Sequence, residues 1–396
     1  MNWLRCVTGV GLFAVAGTLA GCASDVGAND SYGSEETVAE TSAKAVSAIA
    51  STVIVPGGPC GATKLGANCQ AYFPDVVKDP KGDADDLLMV YRWSSAHTNK
   101  PSQLRMMRSR DGGVNWEQAK PFIVADSGDL DFRDPSLTAL RSGRLLLSYF
   151  VQGTNVAIQS QVRYRDEDDA VFSAAARVYS STIPSPVTSA KIAELSNGQL
   201  LIPLYGTPTG GDRHHSVVVS SLDGGVTWDG RLTGRQKTIA ASDDLNYQEP
   251  AIAEITPGHV RAIIRVATST GATAAAVQTD SYDGDYMREW STPSSLGVMM
   301  HGPEILTIPG TNMVPYLWSQ PNTATSPTYR PTLVAIRHTN TTWPSTPRRT
   351  LYNPASGVDS GYAGTVALDT NRLVTVVYDV SRRAAIALRY NVTDVD

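Results

Sequence analysis

The sequence is short of basic charge. Lys and Arg number 33 against 38 Asp and Glu among 396 residues, a net charge of −5. A nucleic-acid binder normally shows a basic surplus, so no such partner is expected. Charged residues make up only 18% and hydrophobic residues 42%, which argues against global disorder and allows a sizeable core. Length alone is a prior for two or three domains, but single all-β domains often exceed the usual size. No stretch of the body keeps a 3.6-residue apolar period, so a helical architecture is not expected. No Gly-rich phosphate loop and no metal cluster is apparent, so neither cofactor nor metal is expected. His214-His215 lie in a polar loop without a third ligand at sensible spacing.

Cysteine is limited to Cys6, Cys22, Cys60 and Cys69. The first two lie in an N-terminal segment with an export pattern. Arg5 is the early charge, and an apolar run follows from Val7 to Ala20, too short for a comfortable membrane span. It ends at Leu19-Ala20-Gly21-Cys22, which resembles a bacterial lipobox. That resemblance implies removal of residues 1–21, a lipid on Cys22 and a membrane anchor. With Ala23 next, it implies the outer membrane or cell surface. Residues 22–52 are rich in Ser, Ala, Glu and Thr and read as a flexible tether, with a short helix possible around Glu36–Ala48. Cys60 and Cys69 are then an even pair in an oxidising compartment, and a disulfide is expected. A metal site there lacks nearby His partners.

Two eight-residue segments repeat. Ser109-Arg110-Asp111-Gly112-Gly113-Val114-Asn115-Trp116 and Ser221-Leu222-Asp223-Gly224-Gly225-Val226-Thr227-Trp228 share S-x-D-G-G-V-x-W, 112 residues apart. Half that distance falls on a decayed turn at Tyr164–Asp168. Further copies are expected at Ser281–Gly284, with Trp290, and at Ile336–Trp343. The pattern is an Asp box. Its carboxylate accepts N–H groups of its own turn, its glycines supply positive φ, and its Trp excludes water. Asp111 and Asp223 are therefore read as holding turns.

Between the boxes, short β-branched pairs flank turns: Ser136–Leu140 with Leu145–Phe150, Ala190–Leu195 with Leu200–Tyr205, Ala251–Ile255 with Val260–Val266, and Thr365–Leu368 with Leu373–Tyr378. Five repeats and a Tyr362–Val392 segment give an all-β fold. It is a six-bladed β-propeller of four-stranded antiparallel blades over residues 53–396. Ala71–Val77 is expected to close the ring with the last blade. A monomer is expected.

At this point the chain resembles the sialidase (neuraminidase) superfamily. Glu249-Pro250-Ala251-Ile252-Ala253-Glu254-Ile255, followed by Ile264-Arg265, looks like its glutamate-opened inner strand and following arginine. Gly361-Tyr362-Ala363-Gly364, followed by Tyr378-Asp379, looks like its last-blade pattern. Arg330 stands where that family carries a second substrate arginine. The resemblance implies a nucleophile at Tyr362, a base at Glu249 and anion binding by Arg265 and Arg330. A neutral tyrosine suits a sugar whose anomeric carbon bears a carboxylate, because an anionic nucleophile is repelled there. Arginine forks pair with such a carboxylate.

Two parts of the pattern are replaced. The blade-one arginine gives way to Ala71-Tyr72-Phe73-Pro74-Asp75, and the acid aspartate has no counterpart in Val90–His97. Other polar residues open blades or end strands nearby: Arg92, His97, Arg133-Asp134, His301, Glu304 and Asp379. Asp134 is the candidate acid, with Glu304 and His97 as alternatives. Arg92, His97, Arg133, His301, Glu304 and Asp379 are candidate substrate contacts. For Arg133-Asp134 a solvated ion pair is the other reading, and for His97 an ordinary loop histidine. The expected activity is exo-hydrolysis of terminal, acidic sugars of glycans. A propeller glycosidase on neutral sugars, such as an exo-arabinanase, stays open, as does a non-catalytic glycan-binding propeller.

Overall fold

One strand of each blade is apolar on both faces. Leu87–Ser94, Leu145–Gly153, Leu200–Gly206, His259–Thr268, Met313–Ser319 and Arg372–Asp379 are each mostly buried along their length. A strand sandwiched between neighbouring sheets has no solvent face, so it reads as a continuous apolar run without strict alternation. These are the second strands of the blades in a computed structural model. It describes residues 49–396 except 118–121, 127, 155, 283, 285, 324–329, 340, 344–345 and 356–358. The leader, Cys22, residues 22–48 of the tether and the Glu36–Ala48 segment lie outside the described residues.

Six sheets are present among the described residues, four with four strands and two with five. The innermost strands are Asn68–Lys78, Asp131–Ala139, Ala193–Glu194, Leu245–Thr256, His301–Ile305 and Ser360–Ala367. Strand pairing within the blades is antiparallel throughout, apart from one short parallel contact of Val178-Tyr179 with Trp228-Asp229. The chain is thus an all-β six-bladed propeller, as its repeats predict.

The ring closes differently from the sequence-based expectation. Ala50–Pro56 pairs with Ala384–Asn391 as the outer strand of blade six. Ala71–Val77 belongs instead to the innermost strand of blade one. Residues 50–52 are therefore part of the propeller and not of the expected 22–52 tether. Ala50, Ser51 and Thr52 carry no strand pattern of their own, because the partner that makes them a strand lies at the far end of the chain. Cys60 and Cys69 are joined, S–S 2.08 Å, where the chain passes from blade six to blade one.

The Asp boxes carry the expected turn chemistry. Asp223 accepts Val226 N–H at 3.1 Å, Thr227 N–H at 3.0 Å, Ser221 Oγ–H at 2.7 Å and Thr227 Oγ1–H at 2.6 Å. Asp111 repeats this with Asn115 and Ser109. Trp228 is buried and donates to Gly225 O at 2.9 Å. A Cβ on Gly225 would lie 2.9 Å from Leu146 of blade two, so the box also seals a blade interface. Register places Ser221 opposite Leu200 and His215 opposite Gly206, so the box lies at the end of the blade away from Gly206.

Replacing Asp223 by Ala should therefore lower stability by about 1–2 kcal/mol through lost turn hydrogen bonds, without touching the opposite mouth. A urea-melt midpoint that does not move relative to the unsubstituted protein would refute this role.

Candidate functional site

The same distortion recurs at the mouth of five blades. Two residues of the innermost strand oppose one residue of the second strand at Phe73-Pro74, Asp134-Pro135, Glu249-Pro250, Gly302-Pro303 and Tyr362-Ala363. The first residue of each pair is left-handed, with φ of 48°, 47°, 47°, 50° and 49° in that order. Only Gly302 adopts this conformation freely. Four larger side chains held there cost on the order of 1–3 kcal/mol each, and such strain collects at functional sites. The bulge brings Asp134, Glu249 and Tyr362 from three blades to one place. Gly302 is required for space, since a Cβ would come within 2.6 Å of the Tyr362 ring.

Glu249 and Tyr362 form the centre. Tyr362 Oη donates to Glu249 Oε1 at 2.8 Å. Arg265 Nη1 donates to the same oxygen at 2.6 Å, and Gly302 N–H donates to Oε2 at 2.8 Å. Burial works to raise the Glu249 pKa, but Arg265, His301, the Gly302 N–H and the Tyr362 hydroxyl together bring it down to about 2. Burial, then the Glu249 charge, pushes the Tyr362 hydroxyl well above its ordinary range, against Arg265 and Arg330. The tyrosine is therefore protonated and bonded to an ionised carboxylate.

Asp134 is the opposite case. Burial raises its carboxyl to about 6, aided by Glu249 and opposed by Arg133, His97 and Arg92. Its Oδ1 has no hydrogen-bond partner among the described residues. Asp134, Arg133, Glu249 and Tyr362 line a cleft of about 520 Å³ with Phe150, Gln152, Tyr205 and His214. Neither Tyr205 nor Phe150 was singled out from the sequence. His214, read there as unremarkable, faces this cleft and contacts Gln248 Nε2 at 2.7 Å. His214 directly precedes the strand His215–Ser221, a position that points to the cleft only once the blade is built.

Arg330 lies beside Tyr362, its guanidinium carbon 5.5 Å from the ring centre. It donates to Tyr378 Oη and to His301 Nδ1, both at 3.2 Å. His301 Nε2 meets Thr273 Oγ1 at 2.9 Å. Burial, Arg265 and Arg330 lower the His301 pKa to about 3, so this ring is neutral and orients Arg330 from behind. Sequence reasoning missed Asp359. Its carboxylate pairs with Arg330, contacts His97 Nδ1 and accepts from Tyr378 Oη at 2.9 Å. Burial first, then Arg330 and Arg133, lowers His97 to about 4. A signal existed: Asp359 lies three residues before Tyr362, as Asp131 lies three before Asp134, and each carboxylate clasps an arginine of the preceding blade.

That comparison corrects Arg92. Its side chain is fully buried and bonded to Asp131 at 2.8 Å, Ala96 O at 2.6 Å and Lys100 O at 3.2 Å, so it ties down a loop and does not face the cleft. Asp379 is spent on its own turn, accepting Ser381 N–H at 2.7 Å and Tyr352 Oη–H at 2.5 Å. Glu304 lies below the mouth, accepting Thr365 N–H at 2.9 Å with Lys191 Nζ 3.7 Å away. Strand alternation puts these carboxylates away from the mouth, which linear proximity to the motifs concealed.

In a pH titration followed by infrared difference spectroscopy, the carboxyl signal lost in Asp134→Asn should titrate near pH 6. A midpoint near 4 would contradict the burial argument.

The folded chain can be compared with known proteins. The BNR repeat-like domain matches residues 90–344. No curated protein matches by sequence. Among solved structures, the fold is similar to a Dyadobacter fermentans protein of unknown function, with 17% identity, TM-score 0.68 and 87% of this chain covering 99% of that one. It is also similar to the α-L-arabinanase of Penicillium chrysogenum, with 12% identity, TM-score 0.62 and 87% covering 99%. The sialidase of Trypanosoma rangeli shares 14% identity at TM-score 0.55, with 81% covering 54%. The family match spans more than half of the sequence, and the chain belongs to the family of proteins with a BNR repeat-like domain.

Proposed function

We propose that the protein is a retaining glycoside hydrolase acting on a terminal acidic sugar. The observation that carries this reading is the buried 2.8 Å bond from Tyr362 Oη to Glu249 Oε1, beside Arg265 and Arg330. Tyr362 Oη attacks the anomeric carbon while Glu249 accepts its proton. Asp134 donates a proton to the departing glycosidic oxygen, and that bond breaks. Water then attacks the tyrosyl–sugar bond, with Asp134 taking the water's proton and Glu249 returning one to Tyr362. Two carboxyls with pKa values near 2 and near 6 suit base and acid respectively. His97, at about 4, is a poorer proton donor at mild pH.

The guanidinium groups of Arg133, Arg265 and Arg330 each keep a buried Nε without a hydrogen-bond partner among the described residues. Such donors favour an anionic ligand. A second reading, a neutral sugar, is favoured by Asp359, whose carboxylate already occupies Arg330. The fold likeness to both a sialidase and an arabinanase is compatible with either.

The test is release of a fluorogenic leaving group from a panel of acidic and neutral glycosides. Tyr362→Phe should lower turnover by roughly a hundredfold or more. Because Asp134 acts in its protonated form, kcat/KM should fall tenfold per unit above about pH 6, and Asp134→Asn should abolish this limb. Undiminished turnover by Tyr362→Phe would sink the tyrosyl mechanism; no turnover of any sugar favours a glycan-binding propeller.

We also propose export as a lipoprotein, supported by the Val7–Ala20 run and Leu19-Ala20-Gly21-Cys22. Labelled palmitate should enter the wild-type chain and not Cys22→Ser. Equal labelling of both would disprove the anchor.

A further inference from the structure

A second cleft, of about 570 Å³, adjoins the first. The two share Gln152 and Ile158. The new cleft is lined further by Asn99, Lys100, Pro101 and Asp131. We propose that it binds the sugar residues on the leaving-group side of a glycan. This rests on the hydrolase reading and adds that the substrate is an oligosaccharide or larger.

The position follows from the acid. A general acid faces the glycosidic oxygen, so Asp134 marks the side on which the leaving group departs. Its strand, Asp131–Ala139, runs from the mouth with Asp131 first, and Asp131 borders the second cleft. A chain leaving past Asp134 toward the mouth of blade two therefore enters it. The wall is also held in shape. Asn99 is left-handed at φ 58°, fixed by its N–H to Asp131 Oδ2 at 3.0 Å. Its side-chain oxygen accepts from Gln152 Nε2 at 3.2 Å, and the same nitrogen lies 3.3 Å from Asp131 Oδ2. Behind it, Arg92 grips Asp131 and the Lys100 carbonyl. The buried, loop-tying Arg92 thus shapes this wall. Amides and an ammonium beside the apolar surfaces of Ile158 and Pro101 suit the hydroxyls and ring faces of sugars. Contacts remote from the reacting bond still raise kcat/KM, because their binding energy is available at the transition state.

Two variants leave the fold intact. Lys100→Ala shortens an exposed side chain, and Asn99→Gly keeps the left-handed backbone while removing the carboxamide. The probes are sialyllactose, with a two-sugar leaving group, and methylumbelliferyl sialoside, whose flat leaving group makes no sugar hydrogen bonds. Arabinotriose and nitrophenyl arabinofuranoside are the neutral pair. On the pair that is turned over, each variant should lose about tenfold in kcat/KM on the oligosaccharide and less than about twofold on the aryl glycoside. Equal losses on both, or none on either, would overturn the proposal. If the wild type turns over neither pair, the hydrolase reading fails by itself. The cleft is then judged by calorimetric binding of the two oligosaccharides: weaker binding to Lys100→Ala supports it, and binding that is absent or indifferent to both variants refutes it.

Discussion

The site depends on the left-handed bulge at the mouth of the innermost strands. Regular alternation would send consecutive side chains to opposite faces of a blade. The bulge inserts one residue, and the first of the pair turns toward the axis. Repetition in five blades makes it a property of the ring. In four of them a proline follows, fixing its own φ and restricting the residue before it. Strain at Phe73, Asp134, Glu249 and Tyr362 is supported by the second strands, which are packed on both faces and cannot shift to relieve it.

Charge is then distributed by these positions. Glu249 receives Arg265, a backbone N–H and a tyrosine hydroxyl, so it remains ionised despite burial. Asp134 receives no such set and keeps its proton to a higher pH. Two carboxylates on equivalent bulges thus differ because their neighbours differ. A further level lies beneath them, where Lys191 bridges Asp75 and Glu304 across the axis. Asp75 accepts Leu137 N–H at 2.7 Å and Glu304 accepts Thr365 N–H, each from the next blade. Burial raises the Glu304 pKa, and the lysine charge partly offsets it. These groups link blades and close the floor of the mouth.

The two arginine–carboxylate clasps show one device used twice. Arg92 with Asp131 is sealed and holds the loop that borders the outer cleft. Arg330 with Asp359 is partly open and borders Tyr362, so its carboxylate competes with any anion for the same guanidinium. At the blade-one bulge Phe73 packs edge-on against Tyr362, with ring centres 5.2 Å apart.

The sequence by itself determined the fold and its period. Asp boxes are local: Asp223 and its partners lie within a few residues, so their spacing is written in the chain. The family resemblance in the sequence pointed to Glu249, Tyr362, Arg265 and Arg330, and the blade opening at Arg133-Asp134 pointed to Asp134. Tertiary structure decided which polar residues share a face. Arg92 and Asp379 resemble site residues in sequence, yet one is sealed against Asp131 and the other caps a turn. Asp359 and His214 reach the mouth only because separate blades bring them there. The ring closure by Ala50–Pro56 was hidden for the same reason: its hydrogen bonds run to a strand more than three hundred residues away, and pairing at that range leaves no mark on either segment alone.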